Sequence, residues 1–216
     1  MVKLKPLDIT LSSMFAALTA LGAYLIIPLP FSPVPLTLQT FFTYTSGAVL
    51  GKYRGALSQI IYIGLGCLGL PVFAGGKAGF GVLLGPTGGY LIGFVLGAFL
   101  IGFLVERTVH PRLQTVKQSD NSVLSTSKRQ KLSIRYLKKN LGFLMIIFSM
   151  IIGTLAIYSL GVLQLSFWMG ITLRQALLVG MLPFIFGDSL KIFVAAIVST
   201  RVMKIFPMLR IKKEKK

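Results

Sequence analysis

The sequence predicts an all-α integral membrane protein: one bundle of six helices, with both termini in the cytoplasm. Three observations carry that expectation. Hydrophobic residues make up 54% of the 216-residue chain and charged residues only 13%, far from the balance of a soluble domain. Six apolar stretches almost free of charge recur along it, enough for about six spans of roughly 20 residues each. The positive charges, 23 Lys and Arg against five acidic residues, gather on alternate connections between those stretches.

The predicted spans cover about 9–27, 37–51, 55–70, 88–106, 140–161 and 173–200. The first runs on past the length of a signal-peptide core and lacks an Ala-x-Ala site, so it predicts a retained helix rather than a cleaved leader. The second and third are short, about 21–24 Å as helices, and predict segments that tilt or sit partly inside the bundle. The fourth follows Pro86-Thr87, an entry signal with Thr87 as the expected cap. The fifth is the apolar run after Asn140. The sixth is interrupted by Arg174 and by an Asp–Lys pair.

Charge then orients the bundle. One side collects Lys3, Lys5, Lys52 and Arg54, nine basic residues between Arg107 and Lys139, and seven from Arg201 onward. The other side carries Lys77 and Arg174. This asymmetry places both termini in the cytoplasm. It also explains the net charge of +18 through topology and contact with anionic lipid, which excludes a nucleic-acid role. The basic, Ser-rich stretch 107–139 reads as a cytoplasmic linker. His110 within it has no ligand set beside it, so no metal is expected. Cys67, the single cysteine, excludes an internal disulfide framework. Trp168 reads as an interfacial anchor in the loop before the sixth span.

The connections on the opposite side differ from ordinary hydrated loops. Residues 28–35 hold four prolines, and a second long connection runs from Leu70-Pro71 to Thr87. Both are apolar and stiff, which predicts loops folded back over the mouth of the bundle. The segment 75–90 holds seven glycines, yet Gly79, Gly81 and Gly85 miss the dinucleotide spacing. Neither Lys52 nor Lys77 is followed by Ser or Thr, so there is no phosphate-binding loop. Gly89, Gly93 and Gly97 repeat every four residues, the spacing that lets two membrane helices approach closely. Ala16 and Ala20 share that spacing in the first span, and suit either internal packing or docking of a partner.

Gly187-Asp188-Ser189-Leu190-Lys191 carries the chemistry. A carboxylate and an ammonium near the middle of a span cost roughly 2.5–3.5 kcal/mol each on insertion scales. At i and i+3 they share one helix face, where each offsets part of the other's cost. Such a pair predicts a functional site. Catalysis lacks apparatus, because no closely spaced carboxylates exist to hold a metal or to act as acid and base. A membrane-embedded lipid-modifying enzyme is therefore the weaker alternative.

Pro33-Val-Pro-Leu-Thr-Leu-Gln39, Pro71-Val-Phe-Ala-Gly-Gly76, Leu84-Gly-Pro-Thr-Gly-Gly-Tyr-Leu-Ile-Gly-Phe94 and the late Gly187-Asp-x-x-Lys191 occur in an order that resembles the BioY family. These are biotin-binding S-components of energy-coupling-factor (ECF) transporters. The resemblance implies a six-helix S-component, no cofactor, and biotin held near the outer face. It also implies Ala16 and Ala20 docking on an ECF scaffold subunit that works with two ABC ATPases in the cell membrane. Biotin's ureido ring then predicts Asp188 as acceptor of a ureido N–H. Lys191 is expected to donate to the ureido carbonyl, to pin Asp188, or to reach the valerate carboxylate. Phe73, Gly75, Gly76, Gly85, Pro86 and Thr87 are expected to shape the site, with Gln39 and Tyr90 as hydrogen-bonding partners. Lys77 and the length of the 107–139 linker depart from the family pattern. A standalone secondary carrier with Asp188 as a proton site stays open, since no ATP-binding motif lies in the chain.

Overall fold

The computed structural model describes residues 5–108 and 128–205, with side chains placed outside 128–139. Residues 109–127, most of the expected linker including His110, lie outside the described residues. The chain is mostly helical: α1 Pro6–Tyr24, α2 Gln39–Leu50, α3 Lys52–Cys67, a one-turn α4 Gly81–Leu84, α5 Gly88–Thr108, α6 Lys128–Met169, α7 Leu173–Gly180 and α8 Phe184–Ile205. α1, α5 and the Asn140–Met169 part of α6 are long and apolar enough to cross a membrane, and α7 with α8 forms a fourth unit bent by 53°. The break falls at Pro183, which lacks the N–H a continuous helix would need. α6 begins at Lys128, inside the stretch read as linker, and runs through Trp168, which therefore sits on a helix rather than in a loop.

The expectation of an all-helical chain is corrected by a hairpin. Strands β1 (Ile26–Leu29) and β2 (Ser32–Thr37) pair antiparallel, with Ile26 opposite Thr37 and Leu29 opposite Ser32. Its prolines are tolerated because in a two-stranded sheet each strand is an edge, with one row of backbone groups free of ladder bonds. The second predicted loop folds back as well. Its 3₁₀ turn Ala74–Gly76 is closed by a bridge between Phe73 and Lys77, and Tyr62 Oη donates to the Val72 carbonyl at 3.1 Å.

Two kinds of contact hold the bundle. α5 and α6 approach closely where glycine leaves room: a Cβ on Gly93 would stand 2.8 Å from Ile157 Cα, and one on Gly89 2.3 Å from the Leu160 carbonyl oxygen. Polar clamps tie the helix ends remote from the hairpin. Asp8 accepts from the Lys5 N–H at 3.0 Å and pairs with Arg54 of α3 at 2.5 Å. Glu106 at the end of α5 accepts from the Lys52 N–H at 2.9 Å. Between them, the fully buried Gln59 amide donates to Ser58 at 3.0 Å, Ser46 at 3.3 Å and Thr19 at 3.4 Å. That network joins α1, α2 and α3 with no orphaned amide, the condition for burying one in an apolar bundle.

Candidate functional site

α2 enters at Gln39, directly after the hairpin, and this places Thr40 on its first turn. α8 restarts after Pro183 and brings Asp188 and Lys191 to the same level, opposite Tyr158 of α6. The four side chains meet. Lys191 Nζ stands 2.8 Å from Asp188 Oδ1 and 3.2 Å from Thr40 Oγ1. The Thr40 hydroxyl donates to the same carboxylate oxygen at 3.1 Å, and Tyr158 Oη donates to Oδ2 at 2.6 Å. Asp188 and Lys191 side chains are 5% and 12% exposed, so the pair is desolvated, and its carboxylate is compensated by three donors from three helices.

This cluster forms one wall of a cavity of about 270 Å³ under the hairpin. Hairpin residues from Ile26 to Thr37 roof it, and Phe73, Leu91, Phe94, Ile157 and Phe184 supply most of its apolar wall. An apolar enclosure with a few converging polar groups is the usual form of a small-molecule site.

Seven of the predicted site residues line the cavity together: Asp188, Lys191, Gln39, Phe73, Gly75, Thr87 and Tyr90. Gly76, Gly85 and Pro86 do not line it. The Gly85 carbonyl instead accepts from Gln164 Nε2 at 2.8 Å, which pins the entry to α5 against α6. Gly75 takes φ of 72°, a left-handed turn that folds the backbone along the cavity wall. Two expected hydrogen-bonders are already engaged. Tyr90 Oη donates to the Gly180 carbonyl at 2.7 Å, so its ring rather than its proton faces a ligand. Gln39 donates to Tyr62 and accepts from Thr37 Oγ1 at 2.8 Å, leaving one N–H and one lone pair.

The docking expectation at Ala16 needs correction. Ala16 is 1% exposed and packs in the hydrophobic core, and Ala20 is half-buried against it. Their small size serves packing within the bundle, while Ser13, Ala17 and Leu21 form the exposed stripe of α1. Thr40, Tyr158 and Lys77 are among the cavity residues that had no place in the predicted site. Tyr158 and Thr40 carried a weak signal, a hydroxyl inside an apolar span. Lys77 carried a stronger one, as a charge in an otherwise uncharged connection between apolar runs.

One solved structure shares this architecture, and other proteins share the sequence. The chain is similar to a 2.1 Å crystal structure of the S-component for biotin from an ECF-type ABC transporter, with a TM-score of 0.70 and 28% identity, over 91% of this chain and 90% of that one. It is 40% identical to the biotin transporter BioY of Thermotoga maritima over 90% of its own length and 94% of that protein. It is 34% identical to the biotin transporter BioY of Rhizobium etli, over 94% and 96% of the two chains. The model of the BioY family matches residues 1–208, and the chain belongs to that family.

Proposed function

We propose that this protein takes up biotin as the membrane-embedded binding subunit of an ECF-type transporter. The observation that carries the reading is the Asp188–Lys191 pair turned into a mostly apolar cavity under the hairpin. Asp188 Oδ1 already accepts two donors and Oδ2 one, so a single acceptor site is left on a carboxylate that offers about four. Lys191 uses two of its three donors within the cluster. One acceptor beside one donor matches the adjacent N–H and C=O of a cyclic urea, which point to the same side. The bicycle then fills the apolar part of the cavity. Lys77, exposed at the rim, stands as counter-ion for the valerate carboxylate.

In this reading six helical segments form the membrane unit, the hairpin faces outward, and both termini lie in the cytoplasm. The charge asymmetry supports that orientation. The ECF scaffold subunit and two ABC ATPases supply the energy, and the kinship with an ECF-type S-component supports their part. The exposed Ser13–Ala17–Leu21 stripe of α1 serves as the docking face. The test has two steps: labelled-biotin binding to the purified chain, then uptake by cells with and without an ECF module. Binding with uptake only when the module is present supports the proposal. Absence of binding overturns it, and uptake without any module selects a standalone carrier.

A further inference from the structure

The terminal torsion of an aspartate is broad and roughly two-fold, so the side chain itself does not decide which oxygen faces the cavity. Here the decision is made from outside. Lys191 and Thr40 both hold Oδ1, at 2.8 and 3.1 Å, and Tyr158 holds Oδ2 at 2.6 Å from a third helix. Tyr158 is 6% exposed and lines the cavity itself. Of the groups packed around the carboxylate, it alone engages Oδ2 among the hydrogen bonds of the described residues.

We infer that Tyr158 is a positioning residue: its hydroxyl holds Asp188 with one Oδ2 lone pair directed into the cavity, and this sets the single acceptor that the site presents. The inference rests on the biotin reading and deepens it, because it states how the site is restricted to one N–H beside one carbonyl. Without the hydroxyl, Oδ2 has two open acceptor sites, and only the donors on Oδ1 still orient the carboxylate. Binding then weakens, and discrimination between ligands with and without a free ureido N–H shrinks. A purely structural staple between α6 and α8 would leave that discrimination unchanged.

The experiment is a double-mutant cycle on the full chain in detergent, with labelled biotin as probe. Wild type, Tyr158→Phe, Asp188→Asn and the double variant are compared for Kd, after thermal unfolding has shown that each is folded. Tyr158→Phe is expected to weaken biotin binding about tenfold, the size of a hydrogen bond to a charged group. In the Asp188→Asn background the same change is expected to cost less than about twofold, because the effect runs through the carboxylate. The preference for biotin over an analogue N-methylated on the ureido nitrogen should fall in Tyr158→Phe. Equal losses in both backgrounds, or an unchanged preference, overturn the inference. If Tyr158→Phe does not fold, the same cycle with Tyr158→Met, which also removes the donor to Oδ2, decides it by the same criteria. Absence of binding by the wild type overturns the biotin reading itself, and the inference with it.

Discussion

Replacing Asp188 and Lys191 together separates a binding site from a structural ion pair. Removing one partner alone mixes the two effects, because a buried charge left unpaired costs about 3–5 kcal/mol of stability. The double change Asp188→Leu with Lys191→Met removes both charges and keeps apolar volume, which is often neutral or stabilising by about 1–4 kcal/mol. Against that stands the Tyr158 hydroxyl, which loses its acceptor at Asp188 Oδ2, a cost of about 1–3 kcal/mol. The two terms are similar in size and opposite in sign, so the unfolding temperature in detergent should stay close to wild type. Binding should not. Loss of the acceptor and the donor removes charged hydrogen bonds worth about 1.5–3 kcal/mol each, and one such bond is already about 10–150-fold in Kd. The assay is equilibrium binding of labelled biotin alongside thermal unfolding. A folded double variant that binds biotin within about twofold of wild type would remove the pair from the binding site and leave it a register device.

Three further outcomes follow from named contacts. Lys77→Gln should weaken biotin by no more than about fivefold, as for an exposed ion pair, and leave biotin amide unaffected; equilibrium competition between the two ligands checks this. Gly93→Leu would force side-chain atoms onto Ile157, whose Cα already lies 2.8 Å from a Cβ position, so thermal unfolding should show a loss of about 1–3 kcal/mol. Ala17→Trp on the exposed face of α1 should spare biotin binding and abolish module-dependent uptake, while Ala16→Trp, inside the core, should lower the unfolding temperature; uptake that survives Ala17→Trp moves docking elsewhere.

The long apolar helices were legible from hydropathy because a span must satisfy its backbone internally and tolerate few charges. The Asp188–Lys191 pair stood out for the same reason. The hairpin was not legible, since four prolines in eight residues argue against a ladder unless both strands are edges, and edge status depends on what packs nearby. The α7–α8 break was written in Pro183 but hidden by the continuity of the apolar run. Ala16 and Ala17 are chemically identical and one residue apart; only the rotation of α1 against α2 and α3 decides that the first is buried and the second exposed. Thr40 and Tyr158 escaped because their part depends on Asp188, more than 25 positions away from either, and no local pattern records that meeting.

In the proposed complex the α8 pair reads one edge of biotin's ureido ring. A crystal structure of the chain with biotin bound tests it directly. The expected complex has a ureido N–H within about 2.7–3.2 Å of Asp188 Oδ2, the ureido oxygen facing Lys191 Nζ, and the bicycle beneath the hairpin. Biotin bound with its ring turned away from Asp188 and Lys191, or seated outside this cavity, would contradict it.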